Sequence, residues 1–326
     1  MRQIKITREI KDSFASIIRR ELSDPDSIIS NAYSAIMVEK AKYSNLKDKY
    51  KILDELSNFE RFLLLTPVEQ ENLIHQWDKN NPQLFRFKSK KTKRFKKNAF
   101  CFRILKALNY EKFRNVYAAE IAQVINVKTC PYCNAALTIV TQKSKGEKYA
   151  RFQLDHYFPK SRYPLLSISF FNLIPSCNNC NQSKSSKPPS LGKDFHLYTE
   201  DNPKDLFEFE IPRLNVAKFI LSRKQDDIEI ILKSGLAGDI RNTDHHNKSF
   251  NIKGIYNTQK DVAEELLLKY IAYNKSQIDD LSAFLSLPKE IISRMIIGNY
   301  IDREDIHKRP LAKFQQDIAR QLGLIK

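Results

Sequence analysis

Four of the five cysteines in the 326-residue chain form two Cys-x-x-Cys pairs, Cys130 with Cys133 in CPYCN and Cys177 with Cys180 in CNNCN. Two thiolates separated by two residues reach one ion from a tight turn, and two such pairs complete the four-sulfur tetrahedron that zinc favours. Redox chemistry accounts for a single pair but not for two. Four thiolates leave no open coordination position, so this zinc is expected to be structural rather than catalytic. Cys101, flanked by Phe100 and Phe102, reads as a small buried hydrophobe. The 43 residues from Asn134 to Ser176 that separate the pairs exceed the spacing of a simple zinc ribbon, so something is held between the knuckles.

That insert contains Asp155-His156 and then Asn172, and Asn181 follows the second pair directly. Histidine ionises near neutral pH and is the side chain most readily used as a base to activate water. Phosphodiester hydrolysis also needs a cation to stabilise charge on phosphorus and on the leaving oxygen. An isolated Asp-His pair is usually incidental, and an isolated Asn usually caps a helix or a turn. Four such residues placed between and beside two zinc knuckles make coincidence a poor explanation. Adjacent residues on a strand point to opposite faces, so a turn or strand end must bring Asp155 and His156 to one site.

The segments CPYCN (130–134), LDHYFPKS (154–161) and NLIPSCNNCNQSK (172–184), in that order and spacing, resemble the HNH (ββα-metal) endonuclease superfamily in its four-cysteine zinc branch. The resemblance covers about 55 residues. It implies a two-stranded hairpin and a helix gripping one divalent ion. By position, Asp155 and Asn181 would be metal ligands, His156 the base that activates water, and Asn172 the brace of the loop that orients it. Asn181 stands where many members have a second histidine, and its oxygen suits Mg²⁺ or Mn²⁺. The tail segments FNIKGIYNTQKDVAEELLLK and HKRPLAKFQQDIARQLG resemble elements of bacterial HNH nucleases of anti-phage systems, Septu-type or retron-associated, in which the nuclease often partners an ATPase. This chain has no glycine-rich phosphate loop, so such an ATPase would be a separate chain.

Charge points to the same partner. The net charge of +17 is carried entirely by residues 81–190, which hold 21 Lys and Arg against four Asp and Glu, while residues 1–80 and 191–326 each sum to zero. A solvated surface would spread such an excess; its concentration beside a candidate active site fits a polyanion, DNA first and RNA as the alternative. Eight of the twelve residues from Arg86 to Lys97 are basic, with Phe85, Phe87 and Phe95 in or beside the run. Lys90, Lys91, Lys93 and Arg94 are therefore candidate nucleic-acid contacts, and so is Lys184, one helical turn after Asn181. The alternative for the run is a solvated linker.

The elements that must position these residues follow from periodicity. Residues 1–85 read as helical, with Thr66-Pro67 and Glu69 marking a helix start. Residues 86–125 form a basic connector and a helix, and 126–190 the zinc-stapled ββα core, including a short helix after Cys180 that ends by Pro188-Pro189. Residues 191–326 read as mixed: strands near 206–211 and 227–232, a helix over 259–285, another from Pro288, and a last one from Pro310 to Gly323. His245, His246, His307 and His196 are expected in loops or at helix ends, and His75 on a polar helix surface. The fold class is thus α+β, a treble-clef-like HNH core flanked by mainly helical regions. The N-terminus lacks the apolar core of a signal peptide, and no stretch reaches the roughly 20 apolar residues of a membrane span, so a cytoplasmic location is expected. Apolar surface on the neutral flanks would serve self-association or docking. The competing reading is a zinc module, or an assembly subunit, that binds nucleic acid without cutting it.

Overall fold

The computed structural model describes the chain apart from residues 82, 93–94, 143–145, 190–194, 236–239 and 326, and apart from the side chains at 240, 241 and 275. The regular structure among the described residues is helices and two-stranded sheets, an α+β composition. Two compact units are discernible, one comprising 4–126 with 140–202 and the other 1–3, 127–139 and 203–326. Among the described residues no helix is long and apolar enough to cross a membrane.

The first unit opens with β1 (Ile4–Lys5), α1 (Arg8–Ser23), α2 (Ile28–Lys42), α3 (Lys47–Asp54), α4 (Phe59–Leu63) and α5 (Pro67–Asn80). The helix starts are written in side chains. Thr7 and Ser27 cap α1 and α2, and Thr66 with Glu69 forms a reciprocal capping box ahead of Pro67, as the sequence predicts. The basic run folds as an antiparallel hairpin, β2 (Arg86–Lys88) with β3 (Phe95–Lys97), rather than a linker. Helices α6 (Ala99–Leu108) and α7 (Tyr110–Ile125) follow, joined at Asn109, whose φ of 41° lets one residue end the first and cap the second. Next come the hairpin β4 (Val140–Gln142) with β5 (Lys148–Ala150), and then β6 (Gln153–His156), β7 (Leu173–Ser176), α8 (Asn178–Lys184) and β8 (Tyr198–Thr199), which pairs in parallel with β1. The apolar faces of α1 and α7 converge on the loop between β6 and β7: Phe14 lies 4.5 Å and Phe113 5.8 Å from Phe170, ring centre to ring centre.

The second unit contains the hairpin β9 (Phe207–Glu210) with β10 (Ile231–Ser234), and helices α9 (Arg213–Ser222), α10 (Ile240–Phe250), α11 (Ile252–Asn257), α12 (Lys260–Ala272), α13 (Lys275–Leu285), α14 (Lys289–Ile297) and α15 (Ala312–Gln321). Three expectations are corrected here. The strand expected at 227–232 begins at Ile231, because residues 225–227 form a 3₁₀ turn. The helix expected over 259–285 breaks between Ala272 and Lys275, where Asn274 and Gln277 form a capping box that starts a new helix. His245 and His246 lie within α10, not at a loop or helix end.

The centre of this unit is ionic as well as aromatic. Lys313, only 2% exposed, places its Nζ 2.8 Å from Asp317 and 3.4 Å from Asp205, both also buried. Asp317 in turn accepts from the Phe209 N–H at 3.0 Å, tying α15 to β9. Burial raises the Asp317 carboxyl above its ordinary range, and Lys313 opposes that shift. Removing the ammonium leaves two carboxylates without their shared cation. Lys313→Met is therefore expected to lose about 3–5 kcal/mol in urea unfolding, whereas Lys308→Met, which removes a more exposed i,i+3 pair with Asp305, should cost under about 0.5 kcal/mol.

Candidate active site

The strands β6 and β7 pair antiparallel with Asp155 opposite Ile174 and His156 opposite Leu173, and α8 begins at once after β7. An antiparallel strand pair is thus followed by a helix, which starts before Cys180, at Asn178, because the Cys177 sulfur accepts from the Cys180 N–H at 3.4 Å and caps it. The helix ends where Ser185 takes a φ of 53°, ahead of the two prolines.

Each strand has four residues, too few to define a register alone, and sixteen residues, 157–172, connect them. Asn172, fully buried, closes that excursion. Its Oδ1 accepts from the Phe158 N–H at 2.7 Å, and its Nδ2 donates to the carbonyls of Phe158 at 3.1 Å and Leu166 at 2.9 Å. The Asn172 carbonyl also accepts from the Tyr157 N–H at 2.9 Å. An amide with one acceptor and two donors is the side chain that can bracket both backbone groups of one residue and reach a second loop. Further support comes from α5, where Gln70 donates to the Leu65 carbonyl and the Ser169 hydroxyl, and Ser169 donates to the Leu63 carbonyl.

His156 is the last residue of β6 and, like Asp155 before it, is paired within the ladder with β7. Its Nε2 lies 2.9 Å from the Ser167 carbonyl, in the segment that Asn172 holds. A carbonyl only accepts, so Nε2 carries the proton and Nδ1 keeps the lone pair. The ring packs 4.4 Å from that of Tyr110, whose hydroxyl donates to the Leu154 carbonyl at 2.7 Å. Burial pushes the imidazole pKa down to about 3, with Lys160 and Lys184 adding to the shift and the Ser167 carbonyl opposing it. The ring is therefore neutral, with a free lone pair, at physiological pH.

Asp155 faces α8. The Nζ of Lys184 sits 3.1 Å from Asp155 Oδ2 and 3.4 Å from Oδ1, and donates to the His156 carbonyl at 2.6 Å. Lys184, expected on sequence grounds as a phosphate contact, is thus buried and engaged inside the protein. Burial pulls its ammonium below the ordinary lysine range, with Asp155 pulling the other way. Asn181, partly buried, lies on the same helix one turn before Lys184. Of the other cations near the motif, Arg162 pairs with Asp78 at 3.0 Å, and the Lys160 ammonium sits 4.1 Å over the Tyr110 ring. Lys90 and Lys91 are exposed beyond β2; Lys93 and Arg94 lie outside the described residues.

The sulfurs of Cys130, Cys133, Cys177 and Cys180 lie within 4.8 Å of one another, and none is in a disulfide. A Zn–S bond near 2.3 Å implies sulfurs roughly 3.8 Å apart, so the cluster could hold a metal such as zinc. Asn134 shapes the first knuckle. At a φ of 52°, its N–H donates to the Cys130 carbonyl, its Nδ2 to Thr129 and to the Ile306 carbonyl, and its Oδ1 accepts from the Lys313 N–H. Around the same turn, Tyr256 donates to the Cys133 carbonyl, and His246 contacts the Tyr132 carbonyl at 2.8 Å. Cys101 is buried, apart from this cluster.

Tyr110 and the Ser167 carbonyl carried no signal in the sequence, and His196, whose ring meets that of Tyr157 at a tilt with centres 3.9 Å apart, was expected there only as a loop or helix-end residue. A backbone carbonyl has no identity in a sequence, and Tyr110 lies more than 40 positions from the motif it contacts.

No family model and no solved structure matches the chain. The Septu protein PtuB of Bacillus thuringiensis is 35% identical over 57 residues, which are 18% of this chain and 19% of that protein. The chain thus covers about a fifth of the length of the curated relative it matches, a similarity that supports a Septu-related link.

The Asp155–Lys184 pair can be weighed by a double-mutant cycle. Lys184→Met leaves a buried carboxylate uncompensated and should cost about 3–5 kcal/mol in urea unfolding without added divalent metal. Adding Asp155→Asn should recover at least about 1 kcal/mol of that loss, because the second change removes the stranded charge. Strictly additive losses would show that the two groups are not coupled.

Proposed function

We propose that this chain is a metal-dependent HNH-type endonuclease that hydrolyses phosphodiester bonds in DNA, with His156 as the base. The observation that carries the reading is the arrangement at the end of β6: a neutral imidazole, its Nε2 proton committed to the Ser167 carbonyl, on the residue that follows the buried Asp155. That tautomer leaves Nδ1 to take a proton from water, and the Asn172 bracket keeps the imidazole from turning. The hard oxygen donors of Asp155 and Asn181 suit Mg²⁺ or Mn²⁺ in type, and in this reading they would hold the ion. Such an ion supplies Lewis-acid stabilisation of charge on the phosphate and the leaving oxygen. The Asp155 carboxylate is shared with the Lys184 ammonium, so Lys184 would have to yield part of it on metal binding.

The four cysteines would hold zinc in a closed structural site. The basic excess over residues 81–190 supports a nucleic-acid substrate, DNA first and RNA as the alternative. From the resemblance of the tail segments to HNH nucleases of Septu-type or retron-associated systems, together with the PtuB similarity, we propose that the activity serves bacterial anti-phage defence, in the cytoplasm, with a separate ATPase as partner. The second reading, a zinc module that binds nucleic acid without cutting, accounts for the cysteines and the charge but leaves the His156 geometry without a use.

Purified protein with Mg²⁺ or Mn²⁺, alone and with its co-expressed genomic neighbours, is expected to cut plasmid DNA, and His156→Ala to reduce cutting at least ~100-fold while binding DNA normally. Intact DNA and RNA in every combination would reject the hydrolytic reading. The zinc proposal is checked separately by metal analysis, which should find about one zinc per chain, and by Cys177→Ser, which should lose the zinc and unfold at lower temperature.

A further inference from the structure

The hairpin of β2 and β3 has a firm base and a bare surface. At the base, Phe85 is buried, stacks on Phe100 with ring centres 5.6 Å apart, and meets Trp77 edge-on. Asn98 donates to the Leu84 carbonyl at 2.7 Å, and its own N–H reaches the Phe85 carbonyl. Beyond this anchor, Phe87 is 45% exposed and Phe95 55% exposed, and Phe102, on the outer face of α6, is also 55% exposed. In the register Phe95 stands opposite Lys88 and Arg86 opposite Lys97, and alternation puts these four side chains on one face of the ribbon, with Phe87 and Lys96 on the other. The Arg86 guanidinium covers Phe95 at 4.4 Å from the ring centre, and the Lys97 ammonium lies 5.0 Å from that of Phe102. No Asp or Glu occurs in the sequence between Asp78 and Glu111.

A surface built only to hold phosphates has no use for exposed phenyl rings, and a solvated linker has no reason to anchor them to a core. Cations alternating with accessible aromatic faces are what a single strand needs, since unpaired bases stack on the rings while the backbone follows the charge. In a duplex the base faces are already stacked on each other and cannot reach a ring. We infer that Phe95 and Phe102, with Arg86, Lys88 and Lys97, form a stacking platform for unpaired nucleotides. The inference rests on the nucleic-acid substrate proposed above and narrows it to a strand that is single at this point.

Binding is measured by fluorescence anisotropy with labelled dT20 and with the dT20·dA20 duplex, using the full-length His156→Ala protein at fixed salt without added divalent metal. Phe95→Ser and Phe102→Ser should each weaken dT20 binding by roughly five- to a hundredfold, leaving duplex binding within about twofold. Lys88→Gln should weaken both probes and lower the salt slope by about one, whereas the Phe variants should leave that slope unchanged. Because these side chains are exposed, the variants should retain the circular dichroism of the parent. Equal losses on both probes, or no loss on either, overturn the platform. Cleavage of DNA and RNA by the wild-type chain, alone and with its co-expressed genomic neighbours, is scored separately with Mg²⁺ and Mn²⁺. Ring-dependent dT20 binding without cleavage would sink the nuclease reading and keep the platform; cleavage with ring-independent binding would do the reverse.

Discussion

One carboxamide holds the candidate site together. The strands β6 and β7 contribute four residues each, and the chain between them leaves the sheet for sixteen residues before it returns. An excursion of that length needs a closing contact, because the ordering entropy of its residues is far larger than a short ladder can offset. Asn172 supplies the contact from a fully buried position, bracketing Phe158 and holding the Leu166 carbonyl. Holding Leu166 also fixes Ser167, whose carbonyl sets the tautomer of His156. The direction in which the imidazole lone pair points is therefore decided by an amide that does not touch the ring. Leucine, with a similar volume but no polar atoms, would leave a buried N–H and two buried carbonyls without this partner.

The second constraint is electrostatic. Asp155 is buried, and a buried carboxylate needs a counter-charge. Lys184 provides it from the last turn of α8, and the same ammonium takes the His156 carbonyl, so one cation locks the helix onto the strand that carries both site residues. Under the hydrolytic reading this gives Lys184 a different task from a phosphate contact: it keeps the carboxylate compensated before a divalent ion arrives. The cost of building an anionic metal site in a protein interior is then offset by an ammonium already present, and metal affinity is set by competition with that ammonium.

Much of this could be read from the residues alone, and the parts that could not have physical reasons. Paired Cys-x-x-Cys spacing implied a four-thiolate cluster because spacing alone limits which thiolates can converge, and the four sulfurs do cluster. The start of α5 was legible because Thr66, Pro67 and Glu69 act locally. The break at Asn274 was equally local, an Asn-x-x-Gln capping box hidden inside a run of otherwise helical periodicity. Lys184 was illegible for a different reason: its partner lies 29 positions away and depends on how α8 packs against β6. The basic hairpin lacked the Asn-Gly or Asp-Gly turn that announces such ribbons, so its charge was visible and its shape was not.

Charge placement connects these observations. The net excess of +17 sits in residues 81–190, which include both the candidate catalytic strand and the aromatic hairpin. Much of the cationic character close to His156 is already committed: Lys184 to Asp155, Arg162 to Asp78, and Lys160 to the face of Tyr110. The exposed cations of the hairpin are a separate population, interleaved with open phenyl rings and free of neighbouring acidic residues in sequence. The two populations do different work, one set ordering the site from within and the other facing solvent where a polyanion can reach it. A single total charge cannot distinguish them; burial and pairing do, which is why the recognition surface is assigned to β2, β3 and α6 and not to the lysines nearest the motif.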